Sequence, residues 1–201
     1  RERPACRAPD VGSEIVKVPA WAVLGVCSIA VFLASLDATV LYVAFQDIRR
    51  SYPAVSSADL SWVLNGYTIA YAALLVPAGR LADRYGHKRF FLAGVTLFSL
   101  ASLACGLAPN ALTLIAARVL QAAGAAALLP ASLALVLEAF PAERRASAIG
   151  IWGAVGGLAA AVGPSLGAVV VERLGWEWVF FINLPFGVLC YYLAACRPGP
   201  G

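Results

Sequence analysis

Residues Gly79–Arg89 read GRLADRYGHKR, the densest cluster of charge in a chain of 201 residues. Long apolar runs flank it on both sides. Lipid cannot solvate Arg80, Asp83, Arg84, Lys88 and Arg89. The stretch therefore predicts a short water-facing hairpin loop between two membrane helices. Gly79 and Gly86 are expected to supply its sharp turns, since glycine tolerates backbone angles that other residues avoid. A hairpin needs only polarity and glycine. An Asp–Arg pair, a glycine two residues later and two further bases exceed that need, and they point to a role beyond connection.

Composition supports the membrane reading. The chain is 61% hydrophobic and 13% charged, with a mean hydropathy of +0.81, whereas soluble domains carry about 25% charge. The net charge of +4 is accounted for by Arg and Lys in loops, so no nucleic-acid partner is expected. Cys6, Cys27, Cys105, Cys190 and Cys196 are odd in number and irregular in spacing. They form no metal pattern or disulfide framework, and are expected to be small buried hydrophobes. No nucleophile–base set, metal cluster or phosphate loop is visible. The expectation is a protein that is not an enzyme and needs no cofactor or metal. The chain contains no Met and ends in RPGPG, which suggests a fragment or a processed product. Its first apolar run is too long for a signal-peptide core.

Residues 1–19 are polar, rich in Arg and Pro and without periodicity, which predicts a disordered tail. Six apolar runs follow, each near the ~20 residues that cross a bilayer. They are Ala20–Phe45, Ser61–Ala78, Phe90–Ala108, Ala111–Val136, Ser147–Val171 and Trp178–Ala195. The six-span unit is placed at 20–196, with 197–201 as the start of a linker or the chain end. Lys and Arg on the tail side of the spans number eleven, against three on the opposite side. The positive-inside rule then puts both termini in the cytoplasm. Trp21, Trp62, Trp176 and Trp178 fall near span ends, where an aromatic belt belongs. The fold expected is an all-α polytopic bundle of six transmembrane helices, arranged as two inverted groups of three.

Two spans carry an ionisable residue deep in the apolar run: Asp37 in span one and Arg118 in span four. Each costs several kcal/mol in lipid unless it meets a partner or a cavity. At ~1.5 Å per residue their depths agree within a few ångströms, so they are expected to share one polar site. Such a pair suits proton coupling, because a carboxylate responds to burial and to a nearby guanidinium in opposite directions. A static ion pair that fixes helix packing is the alternative. Gln121 lies one turn from Arg118 on roughly the same helix side. Asn183 and Pro185 interrupt the sixth run, either as a hydrogen-bonded kink or as a substrate contact. In span two, Asn65 is assigned to a cavity and Tyr71 to packing. Gly153/Gly157 and Gly163/Gly167 give span five a small face for close helix approach, and Pro164 favours a bend there. His87, the sole histidine, is expected to be a solvated loop side chain. Glu138, Glu143, Arg144 and Arg145 read as a charged connector.

These stretches carry resemblances. G-x-L-A-D-R-x-G-x-K-R, matched at Gly79, Leu81, Ala82, Asp83, Arg84, Gly86, Lys88 and Arg89, resembles the signature loop between spans two and three of major facilitator superfamily transporters. Leu36–Phe45, LDATVLYVAF, resembles the span-one signature L-D-x-T-x-x-x-V-A of the fourteen-span drug:proton antiporter family, with Tyr42 where Asn is usual and Gln46 where Pro is usual. Arg118, Gln121 and Gly124 match the span-four motif R-x-x-Q-G-x-G, with Ala122 in place of Gly. Gly163, Pro164 and Gly167 match the span-five G-P-x-x-G of exporters, although Ala168 and Ala159 stand where further glycines are common. Trp176–Gly187, WEWVFFINLPFG, resembles the start of span six in the same family, with Glu177 replacing Arg.

The resemblance implies the N-terminal six-span half of a major facilitator fold in the cytoplasmic membrane. It implies an antiporter that exports drugs or other lipophilic small molecules by alternating access, driven by the proton gradient. Asp37 and Arg118 would couple the proton. Gly79, Asp83, Arg84, Gly86, Lys88 and Arg89 would latch one conformation. Thr39, Asn65, Gln121 and Asn183 would line a substrate cavity. The partners implied are a small-molecule substrate, the lipid bilayer and a second transporter half, in the same chain or another. Span five is expected to pack against that half. The resemblance leaves room for an Arg84–Glu138 contact on the tail side, and for Asp83 at a helix N-terminus of the second half. A porter of another solute, or a helper or truncated six-span protein, are the alternatives.

Overall fold

The computed structural model describes residues 19–195. The predictions for the tail, for the stretch from 197 to 201, and for Cys6 and Cys196 lie outside the described residues. Eight helices are formed among them: α1 (Ala20–Ser51), α2 (Ser57–Leu60), α3 (Trp62–Tyr85), α4 (His87–Gly106), α5 (Ala111–Ala139), α6 (Ala142–Leu174), α7 (Trp178–Phe181) and α8 (Asn183–Ala195). Spans one to five are α1, α3, α4, α5 and α6, and span six is α7 with α8. No strand occurs among the described residues. In lipid a helix satisfies its own backbone donors and acceptors, so the apolar runs have few other options.

Local chemistry sets the helix ends. At ~1.5 Å per residue α1 is about 48 Å long, more than the ~30 Å hydrocarbon layer. Its last turn therefore carries charge, and Arg50 pairs with Asp47 at 2.7 Å. Ser56 Oγ caps α2 by accepting the Asp59 N–H at 3.1 Å. Asn110 Oδ1 caps α5 by accepting the Thr113 N–H at 2.9 Å. Span six breaks at Ile182. Pro185 lacks a backbone donor, and its ring clashes with the carbonyl four residues earlier, that of Phe181.

The expected hairpin loop at Gly79–Arg89 is almost absent. Helix α3 continues through Tyr85 and α4 begins at His87. The reversal is made at Gly86 alone, with φ 92°, a value open to glycine and strained for other residues. Gly79 is helical and takes no part in the turn. Charge confines a segment to water without uncoiling it, and the last turns of a long helix satisfy that condition.

Small residues bring the helices together. A Cβ on Gly124 of α5 would lie 2.6 Å from the Phe98 backbone N of α4, and one on Gly94 of α4 would lie 2.9 Å from Leu128 N of α5. Helix α6 seats Gly156, Gly163 and Gly167 against Val31, Thr39 and Val40 of α1. Span one packs chiefly on span five, and span four on spans two and three. The span-one–span-five and span-four–span-two pairs are the exchange that two inverted three-helix groups require.

Two sequence readings change in this light. The glycines Gly163 and Gly167 face span one within the same half, whereas Gly153 and Gly157 of α6 meet nothing within 4 Å. Trp176 does not join an aromatic belt. It is buried, and its indole N–H donates to Ser51 Oγ at 2.9 Å, which ties the α6–α7 corner to the end of α1. Trp21, Trp62 and Trp178 are exposed, as belt residues should be. Cys27, Cys105 and Cys190 are buried free thiols.

Candidate functional site

The apolar length of α1 carries Asp37 to the middle of the bundle, and α5 carries Arg118 to the same depth. Arg118 donates from Nη1 to Asp37 Oδ2 at 2.6 Å, and the two side chains are 1% and 0% exposed. Removing both charges from water costs several kcal/mol per ion, which only close geometry and further hydrogen bonds offset. Those bonds are present. Arg118 Nη1 also donates to Gln121 Oε1 at 2.5 Å, and Nε donates to the Val63 carbonyl at 3.4 Å. The guanidinium lies 4.0 Å from the centre of the Tyr67 ring, a cation–π distance.

The carboxylate accepts two further bonds, one from α5 and one from span six. Gln121 Nε2 donates to Asp37 Oδ1 at 2.9 Å and to Ser102 Oγ at 3.0 Å. Asn183 Nδ2 donates to Asp37 Oδ1 at 3.0 Å and to Ser102 Oγ at 2.9 Å. Ser102 in turn donates to the Phe180 carbonyl at 3.2 Å. Spans one, three, four and six thus meet at one buried cluster. A small cavity of about 10 Å³ adjoins it, lined by Asp37, Asn183 and, among others, Val40, Gly167, Val170 and Val179.

Of the four residues expected to line a substrate cavity, Gln121 and Asn183 lie in this cluster. Thr39 and Asn65 do not. Thr39 donates to carbonyls of its own helix, Ser35 and Leu36, each at 3.1 Å. Asn65 is exposed on α3 and donates to Ser61 Oγ at 3.4 Å. Pro164 is exposed on the outer side of α6. Ser102 is the member of the cluster that the sequence does not reveal, because a lone serine in an apolar run carries no spacing signal.

A second polar constellation sits at the α3–α4 turn. His87 Nδ1 lies 2.5 Å from Glu138 Oε1 of α5, and Nε2 lies 3.0 Å from Asp83 Oδ1 of α3. This overturns the reading of His87 as a freely solvated loop residue. Asp83 and His87 stand on either side of Gly86, where α3 ends and α4 begins, so the turn itself brings them together. Both ring nitrogens face carboxylates, so the imidazolium is the form that donates to both. The hydrogen bond to Asp83 raises the His87 pKa above its ordinary value, and Glu138 adds to this against the cost of partial burial. Glu138 is therefore engaged by His87, not by Arg84, the contact for which the resemblance left room. Arg84 stands 5.7 Å from the Tyr85 ring.

Residues 27–200 match the family model described as the Major Facilitator Superfamily. The chain belongs to that superfamily. It is a multi-pass membrane protein from a family of transporters, not of enzymes. Multidrug resistance protein Stp of Mycobacterium tuberculosis is 45% identical over 169 residues, covering 84% of this chain and 31% of that protein. Methylenomycin A resistance protein of Streptomyces coelicolor is 44% identical over 158 residues, covering 78% and 33%. Riboflavin transporter RibZ of Clostridioides difficile is 35% identical over 173 residues, covering 86% and 38%. This superfamily chain thus spans about a third of the length of its curated relatives. A solved bacterial homologue of the human lysosomal transporter Spinster, inward-facing and occupied, aligns with a TM-score of 0.73 at 24% identity, over 89% of this chain and 44% of that one. That likeness shows the shared fold.

Proposed function

We propose that the intact protein is a proton-driven exporter of drugs or other lipophilic small molecules, working by alternating access. The observation that carries this reading is the desolvated Asp37–Arg118 pair. A carboxylate that touches a guanidinium stays ionised, and one that is separated from it in a low-dielectric site binds a proton. A rearrangement that parts α1 from α5 therefore links proton binding at Asp37 to conformation. Arg118 biases that step, while Gln121 and Asn183 hold the carboxylate and Ser102 holds their amides. The resistance proteins among the relatives favour drug-like cargo. The proton gradient supplies the energy without a cofactor.

The excess of Lys and Arg on the tail side favours a cytoplasmic N-terminus in the cytoplasmic membrane. A second six-span half, in the same chain or another, completes the transport path. The cluster of Asp83, His87 and Glu138, with Arg84, Lys88 and Arg89 around it, latches one conformation on the cytoplasmic side. The riboflavin transporter among the relatives favours a second reading, a porter of another solute on the same scaffold.

The test uses the intact protein in proteoliposomes with an imposed pH gradient. Substrate-dependent proton flux is expected, and Asp37→Asn is expected to abolish it while substrate binding persists. Unchanged proton-driven efflux in Asp37→Asn, for cationic and neutral substrates alike, would overturn the coupling role.

A further inference from the structure

The buried cluster leaves acceptors unused. Asp37 Oδ1 accepts from Gln121 and Asn183, and Oδ2 accepts from Arg118. An ionised carboxylate has about four acceptor sites, so one remains on Oδ2. Ser102 Oγ is complete, with two bonds accepted and one donated. Asn183 Oδ1 is different: it is a buried acceptor without a hydrogen-bond partner, on a residue only 1% exposed. Buried polar groups are rarely left so, and each such group has a price in desolvation.

Asp37 and Asn183 both line the cavity of about 10 Å³, close to the smallest space that admits one water. Most of the remaining lining runs from Asp37 and Asn183 toward the α6–α7 corner: Val40 of α1, Leu166, Gly167 and Val170 of α6, Val179 of α7. Arg118 is not among the lining residues. The cavity therefore reaches Asp37 from a side that the arginine does not occupy.

We propose that this cavity is the proton-delivery site of the transporter, a chamber for a single water held between Asn183 Oδ1 and Asp37 Oδ2. The inference rests on the proton-coupled reading above. Two unfilled acceptors match the two O–H groups of one water. When α1 parts from α5 and Arg118 leaves Asp37 Oδ2, an extra proton carried by that water passes to the lone pair of Oδ2 that faces it. A neutral water remains, accepting from the new Asp37 O–H and still donating to Asn183 Oδ1. Charge and protons balance, and no other group is needed. With the tail cytoplasmic, the α6–α7 corner faces outward, so the proton arrives from the outside along α1, α6 and span six. Gly167 matters here because it admits Val40: a Cβ at that position would lie 2.7 Å from Val40 Cγ1. Asn183 is a positioning residue, acting through the water.

The experiment is infrared difference spectroscopy on the intact purified transporter, titrated with acid in ordinary and in oxygen-18 water. The carboxylic-acid band of Asp37 is assigned by its loss in Asp37→Asn. The expected result is a water O–H band that shifts with oxygen-18 and titrates with the same midpoint as Asp37. Val170→Phe, which fills the chamber, is expected to remove that band and to cause loss of proton-driven export while substrate binding is retained. An Asp37 band that titrates with no oxygen-18-sensitive partner in wild-type protein would overturn the proposal, whether or not the variant folds. Absence of any titrating Asp37 band would overturn the proton-coupled reading itself, and the chamber with it.

Discussion

Neutralising one member of the central ion pair should cost far more than neutralising both. In Asp37→Asn the Arg118 cation stays buried, with the Val63 carbonyl, Gln121 Oε1 and the Tyr67 ring as neighbours. In Arg118→Gln the carboxylate stays buried, with two amide donors. Breaking a buried pair by removing one partner costs about 3–5 kcal/mol. Ordinary interhelical hydrogen bonds in membranes average only about 0.6 and reach about 1.7 kcal/mol. With both side chains out of contact with solvent, the charge effect dominates. Each single variant should lose about 3–5 kcal/mol, roughly two to three and a half powers of ten in the folding equilibrium. The double variant leaves two neutral amides side by side and should lose less than either single. The coupling energy is then at least about 3 kcal/mol, well above the additivity error of a few tenths. Reversible unfolding of the intact protein in mixed micelles, followed as a double-mutant cycle, measures it. Additive losses in the two singles would refute the claim that the charges hold each other in a desolvated site.

Gly124→Ala should destabilise the protein by about 1–3 kcal/mol, the usual cost of overpacking, because its Cβ meets the Phe98 backbone, which cannot rotate away; an unchanged melting temperature would contradict the α4–α5 contact. The His87 contacts should weaken as pH rises. His87 has a raised folded-state pKa, so their stabilisation is complete below the ordinary histidine value of about 6.5 and is lost as pH climbs through the raised value. Hydrogen exchange at the α3–α4 turn should therefore quicken with pH beyond its intrinsic rate, and His87→Arg, permanently charged, should remove that excess. Trp176→Phe deletes the indole donor to Ser51 and should cost about 0.5–1.5 kcal/mol, read as a lower unfolding midpoint in the same micelle assay.

The sequence by itself determined that the chain is a bundle of six membrane helices, and which two residues had to find each other. The reason is energetic: about twenty apolar residues cannot stay in water, and an aspartate or arginine within them cannot stay alone in lipid. It also placed Gln121 beside Arg118, through helical periodicity. Tertiary structure alone decided the rest of the cluster. Asn183 reaches Asp37 from span six, and Ser102 of span three braces Asn183, across sequence separations that no local pattern encodes. The same holds for His87 and Glu138, which are 51 residues apart. Span five shows the boundary between the two kinds of knowledge. Its glycine spacing announced close packing, but the partner was set by how α6 turns about its axis against α1. That rotation places Gly163 and Gly167 on span one and leaves Gly153 and Gly157 outside. Helical periodicity fixes which residues share a face, whereas the direction in which that face points depends on all the helices packed together.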